Sequence, residues 1–361
     1  MLQPLKRLLD RKNRGIGVEI TPERINIAQL RSSERGYQLT TFSSLEVPEE
    51  IFEEGQIADV TALAELLKQA LSAKKLKVTK VATAVPTRDS ISRIISVPAE
   101  LDDQELREVV INQEANLCLP YPREEVDLDY LKLGYFEDED GIEKVQVLLV
   151  ATKREVTDTY LEVFQQAGLE TDVLEINSFA LLRTVREQLR QFGSLEAAVL
   201  VDIEFDNTEI AILVEGVPQF NRTVPIGTYQ LQSALSRAMN LPTSRNTEFL
   251  QEFSIPEPGN NLPKGMAVLQ KMLGELSDEI RRSIDFYLSQ SEGIEIAQLL
   301  LAGPGGGIEK LDDFFTQRLD FAAASVDPVA ALSLQTEEEI PKAKRSGLGT
   351  VIGLGLREIN S

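Results

Sequence analysis

Residues 16–50 read as strands joined by turns, in short β-branched runs broken by polar pairs. The period then changes. Over 59–73, Leu63, Leu66, Leu67, Ala70 and Leu71 fall on one helical face, with Asp59 or Thr61 near the start. Val78–Val85 and Ser90–Val97 predict strands, ended by Pro86 and Pro98. Asp102–Leu117 predicts a helix capped by Asp102 or Asp103. Val126–Tyr135 and Lys144–Ala151 predict a hairpin across the acidic turn 137–141. Glu155–Ala167 predicts a helix stopped by Gly168. The block 78–167 thus reads as an inserted subdomain. Downstream the pattern predicts strand Val173–Ile176, helix Phe179–Gln191, a second hairpin, and helices Gln230–Asn240 and Ala267–Ser289. Strand Gln298–Ala302, helix Glu309–Leu319, a segment Asp327–Leu334 and an apolar helix over 348–357 follow. The polar stretches 244–264 and 335–347 read as a mobile segment and a solvated loop.

One segment occurs twice without a gap. Residues 16–30 match 199–213: Val18 with Val201, Glu19 with Asp202, Ile20 with Ile203, Ile27-Ala28 with Ile210-Ala211, and Leu30 with Leu213. Each copy is a β-branched run, one carboxylate, a polar turn and a second run. A carboxylate at the end of a buried strand costs desolvation energy unless it has a partner or a task. Two such hairpins predict two related lobes facing one cleft.

Composition narrows the chemistry. The 361 residues are 42% apolar but only 6% aromatic, which predicts aliphatic cores and an α/β protein of roughly two domains. A net charge of −21 argues against nucleic acid as a partner. The single cysteine, Cys118, permits no internal disulfide, fits a reducing compartment and reads as a buried small hydrophobe. With no histidine, Ser-His-Asp and histidine–metal chemistry are excluded. No run of about 20 apolar residues is present to span a membrane. Residues 1–13 are basic, with leucines at helical spacing; they read as a surface-seeking segment or a frayed terminus.

The strongest local motif is the strand-to-glycine loop Leu299-Leu-Leu-Ala-Gly-Pro-Gly-Gly-Gly307. Glycines between a strand and a helix let a ligand approach the backbone. Two acidic hairpins followed by such a loop resemble the phosphate-1, phosphate-2 and adenosine motifs of the actin–Hsp70–sugar kinase superfamily. Within it, the chain resembles the PilM family of the type IV pilus inner-membrane platform, related to FtsA. The closest strings are Ile95-Ser-Val-Pro98, Leu119-Pro-Tyr-Pro122, Arg222-Thr-Val-Pro-Ile-Gly227, Glu279-Ile-Arg-Arg-Ser283 and Ile352-Gly-Leu-Gly-Leu-Arg357.

The resemblance implies an actin-like, two-lobed α/β fold with a duplicated ribonuclease H-like core. Its first lobe combines 14–77 and 168–197 around the insert 78–167. The second combines 198–228 and 298–361 around a helical subdomain, 229–297. It implies ATP or ADP contacts at Glu19, Thr21, Asp202, Asn207, Thr208, Gly227, Glu279, Arg282, Ser283, Gly303, Gly305, Gly306 and Gly307, with Mg held through water by Glu19 and Asp202. It also implies a cytoplasmic scaffold, peripheral at the inner membrane, in pilus biogenesis, twitching motility and DNA uptake. The expected partners are the N-terminal peptide of a PilN-like membrane protein and other platform or motor proteins. That peptide is expected in a groove beside the insert, near Glu114, Asp127, Asp129 and Tyr130. An FtsA-like filament protein and an active ATPase or kinase are the alternatives.

Departures from the family pattern predict weak or absent hydrolysis. Pro22 has no N–H to offer a phosphate. Glu204 puts a carboxylate where relatives carry glycine, and Asn177 replaces a glutamate that could polarise water. Pro304 interrupts the glycine loop.

Overall fold

The computed structural model describes residues 14–34, 36–242, 244–256, 262–337 and 339–359. The basic segment 1–13 lies outside the described residues. The chain divides into two compact units, 1–84 with 163–361, and 85–162.

The larger unit holds two sheets of one topology. The first contains β1 (Arg14–Ile20), β2 (Arg24–Ser33), β3 (Gly36–Glu46), β6 (Lys80–Val85) and β10 (Glu170–Ile176). Its order is β10-β6-β1-β2-β3, with the short β16 (Gln335–Thr336) added beside β3. The second contains β11 (Glu196–Ile203), β12 (Thr208–Val214), β13 (Val217–Val224), β14 (Glu295–Ala302) and β15 (Ala323–Ser325), in the order β13-β12-β11-β14-β15. Each is a three-strand antiparallel meander whose first strand has a parallel neighbour on its other side, β6 in the first sheet and β14 in the second. The repeat in the sequence is this repeat of topology. Glu19 pairs with Asn26 and Ile20 with Ile25, while Asp202 pairs with Glu209 and Ile203 with Thr208, the same register in both copies. A small hairpin, β4 (Phe52–Glu53) and β5 (Gln56–Ile57), precedes helix Val60–Ala73, whose cap is Asp59.

Two helices cover the sheets from one side. Helix Asn177–Leu189 buries Leu181, Val185 and Leu189 against Ala198, Leu200, Leu213 and Leu300 of the second sheet. Helix Gly349–Ile359 buries Val351, Ile352 and Leu356 against Ala28, Leu30 and Leu39 of the first. The approach is close because it is made of small residues. A Cβ on Gly17 would stand 2.3 Å from the Val351 carbonyl oxygen, and one on Gly353 would stand 1.9 Å from that of Ala180. The Gly-Leu-Gly string near the C-terminus is therefore a packing motif. Arg183 locks this layer, donating to both carboxylate oxygens of Glu175 at 2.8 and 2.9 Å and to the Gly353 carbonyl at 2.8 Å. On the opposite face of the second sheet, helices Thr228–Met239, Lys264–Leu288 and Leu311–Leu319 build the largest core.

The smaller unit is a three-stranded antiparallel sheet of β7 (Ser90–Pro98), β9 (Glu143–Lys153) and β8 (Val126–Glu137), in that order. A helical segment, 103–118, covers one face and buries Leu106, Val110 and Ala115 against Val145, Val147 and Leu149. Asp102 caps it through a reciprocal bond with Glu105. Its middle, Val109–Glu114, is a π turn. Cys118 packs against this core, and burial pushes its thiol up.

Candidate nucleotide cleft

The two hairpin turns of the larger unit lie near each other, close enough for the Glu19 carboxyl to push Asp202 and Glu204 up. Glu19 ends β1 with its carboxylate buried, accepting a bond from Asn26 Nδ2 at 2.9 Å. Burial pushes its carboxyl up to about 7, against the hydrogen bonds from Asn26 and Thr350. Asp202 ends β11 and is 3% exposed. No N–H or hydroxyl reaches either of its oxygens; its polar neighbour is the Glu204 carboxyl. Burial, then the neighbouring acids, raise both well above the carboxylate range. Among the described residues no group of three or more such side chains is arranged to hold a metal ion.

The sequence-predicted positions divide into those that meet and those that do not. A Cβ on Gly303 would lie 2.6 Å from Asp202 Oδ1, and one on Gly227 would lie 2.6 Å from the Glu204 carbonyl oxygen, so the glycine loop and Gly227 join the second turn. Thr21 closes the first turn, its hydroxyl donating to the Arg24 carbonyl at 3.1 Å. Asn207 is buried in the second turn and donates to Asp206, and Thr208 donates its hydroxyl to the Ile226 carbonyl at 2.6 Å. Glu279, Arg282 and Ser283 make their bonds elsewhere. Glu279 pairs with Arg222 of β13 and with Arg282, while Ser283 donates to the Glu279 carbonyl within its own helix.

The fold family implies Mg–nucleotide here, and these residues do not fit it as they stand. The loop glycines already have close neighbours in the protein. A Cβ on Gly305 would meet the Ile203 side chain at 2.3 Å, and one on Gly307 would meet the Ala343 carbonyl oxygen at 1.8 Å. The stretch 335–347, expected as a solvated loop, supplies that wall: Ser346 donates to the Gly303 carbonyl at 2.9 Å, and Gln335–Thr336 pairs with β3. A cavity of about 500 Å³ lies beside the first hairpin, lined by Arg24, Asn26, Phe42, Glu248, Pro304 and Lys344 among others. None of the predicted nucleotide residues lines it.

Sequence reasoning missed the group that fills the first turn. The polar stretch from 244, expected to be mobile, packs there. Arg245 Nη2 donates to the Pro22 carbonyl at 2.7 Å, and its guanidinium lies 4.9 Å from the Phe205 ring centroid. The Thr247 amide and hydroxyl donate to Glu23 Oε1 at 2.8 and 2.9 Å. No periodicity marks a lone arginine in a polar loop, so the sequence carried no signal for it.

The four positions expected to receive a partner lie in the smaller unit but not on one face. Alternation along β8 puts Asp127 and Asp129 opposite Tyr130, which packs toward the helical side with the Val145–Leu149 core. Asp127 is held by Arg154 at 3.3 Å and by the Thr157 hydroxyl, Asp129 accepts from the Tyr130 amide at 2.9 Å, and Glu114 sits in the π turn.

Comparison with solved structures gives the class first. A PilM–PilN type IV pilus biogenesis complex matches at a TM-score of 0.80 and 24% identity, over 96% of this chain and 98% of that one. Ethanolamine utilization protein EutJ from Carboxydothermus hydrogenoformans matches at 0.55 and 13%, over 95% and 89%. MreB 5 of Spiroplasma citri bound to AMPPNP matches at 0.51 and 13%, over 96% of each. The fold is that of the actin-like ATPases. The family model for the type IV pilus assembly protein PilM matches residues 17–359, and the chain belongs to that family.

Proposed function

We propose that this chain is a scaffold of the type IV pilus assembly platform, docking the N-terminal cytoplasmic peptide of a PilN-like membrane protein. The observation that carries the reading is family membership across 17–359. The smaller unit supports it with chemistry suited to a basic, apolar-anchored peptide. Between 85 and 162 the chain carries nineteen acidic residues against eight basic ones. Leu131, Tyr135, Phe136 and Ile142 expose large apolar side chains there. Apolar anchors supply the affinity of such docking, and complementary charge speeds encounter.

In this role the protein works at the cytoplasmic face of the inner membrane, in pilus biogenesis and the twitching and DNA uptake that depend on it. Hydrolysis is not part of the role: Asn177 offers no base where relatives carry a glutamate, and Pro22 offers no N–H where phosphoryl transfer needs a positioned donor. ATP or ADP with magnesium enters only if the first turn is freed from Arg245 and Thr247. The test is calorimetric titration of a synthetic PilN-like N-terminal peptide into the purified chain and into a variant lacking 85–162. Binding by the first alone is the expected result. Binding retained after the deletion would move the site elsewhere, and no binding by either would remove the peptide from the proposal.

A further inference from the structure

The two sheets of the larger unit are bridged by protein at the first hairpin turn, the turn that the sequence resemblance reads as phosphate-1. The bridge is the short segment 245–248, which leaves the helical part of the second lobe and crosses to the first hairpin turn. Four successive residues make contacts. Arg245 donates to the Pro22 carbonyl at 2.7 Å. Asn246 Nδ2 donates to Glu46 Oε1 at 3.1 Å. Thr247 gives both its amide and its hydroxyl to the buried Glu23 carboxylate. Glu248 pairs with Arg24 at 3.1 Å and with Lys344 at 2.9 Å.

The chemistry of the turn is inverted to match. A phosphate-binding turn offers N–H donors to an anion. This turn offers a proline carbonyl and a carboxylate, both acceptors, to the donors Arg245 and Thr247. The second turn joins the same bridge through Phe205, which stacks on Tyr229 at 5.1 Å between ring centroids and lies under the Arg245 guanidinium. Glu23 and Thr247 are each less than 7% exposed, so the contact is a desolvated one and not a surface ion pair.

We infer that the segment 245–248 is an internal strap that replaces bound nucleotide as the link between the two lobes and holds the cleft closed in its absence. The residues that would have been phosphate donors have become acceptors for the chain's own arginine and threonine. This does not rest on the peptide-docking reading, because the strap lies wholly in the larger unit.

Hydrogen exchange and thermal unfolding of the full chain test it. In the nucleotide-free protein, amides 20–26 and 245–249 should exchange as slowly as those of the sheet cores. MgATP or MgADP at millimolar concentration should shift Tm by less than about 1 °C. Thr247→Val keeps the shape but removes the hydroxyl donor, and Arg245→Gln removes the guanidinium. Each should speed exchange at 20–26 by about tenfold or more while leaving β7 and β9 of the smaller unit unchanged. A rise of several degrees in Tm with MgATP in the unmodified protein would overturn the inference. So would fast exchange at 20–26 in the unmodified protein, or exchange there that neither substitution alters.

Discussion

Asn26 and Glu19 are direct cross-strand partners, and the amide of the first donates to the carboxylate of the second at 2.9 Å. The equivalent pair in the second sheet, Glu209 and Asp202, is two acids. The repeat preserved the backbone register while the side-chain chemistry diverged. The first copy gained a donor that satisfies its carboxylate; the second keeps its acid buried beside Glu204 without one.

Stability should therefore depend on pH through these acids. Burial raises the Glu19 carboxyl from 4.5 to about 7, so between those values the folded chain holds a proton that the unfolded chain has lost. The Glu19 contribution to stability falls as pH rises through that window and levels off above it. Asp202 and Glu204, raised in the same direction, add to the slope. Glu19→Gln should flatten part of this dependence and stabilise the protein at pH 8 by on the order of 3 kcal/mol. Urea unfolding at pH 5 and pH 8 measures it; a variant no more stable at pH 8 than the parent would contradict the charge state assigned to Glu19.

The close layer between β1 and helix Gly349–Ile359 should tolerate no side chain. Gly17→Ala places a Cβ 2.3 Å from the Val351 carbonyl oxygen, which must move the helix or the strand. The cost should be about 2–3 kcal/mol. Gly134→Ala, in the smaller unit, meets nothing within 4 Å and should change stability by less than about 0.5 kcal/mol. Comparing the two by chemical denaturation separates steric cost from a general effect of losing glycine.

Arg183 should matter more than its place on a helix suggests. Its fork is satisfied by Glu175 and by the Gly353 carbonyl, tying β10 and its own helix to the C-terminal helix. Arg183→Ala strands the Glu175 carboxylate, only 12% exposed, and should cost on the order of 2–3 kcal/mol. Arg183→Lys should recover part of this at most, because an ammonium cannot repeat the two parallel bonds. Equal stability of the lysine variant and the parent would show that the fork geometry contributes nothing.

Purified protein with MgATP should release phosphate no faster than buffer alone. Asn177 supplies no base, and its side chain accepts from the Ser178 amide at 3.0 Å. Robust phosphate release by the unmodified chain would refute the scaffold-only reading.

The doubled hairpin and the helix caps were legible in the linear pattern. These rest on local physics that a linear pattern records. β-branched alternation selected the strands, Asp59 and Asp102 capped the helices predicted after them, and the identical spacing from Glu19 to Leu30 and from Asp202 to Leu213 carried over as identical register. What the glycines and the polar loop pack against was not legible there and appears only in the fold. Gly305 and Gly307 read equally well as room for a ligand or room for another stretch of chain. In the fold, Ile203 and Ala343, distant in sequence, stand where a Cβ on either glycine would fall. Arg245 is an ordinary charged residue in a polar run until folding brings the Pro22 carbonyl and the Phe205 ring to it. A hydrogen bond spanning more than two hundred residues leaves no periodic trace, because neither partner's neighbours need to change for it to form.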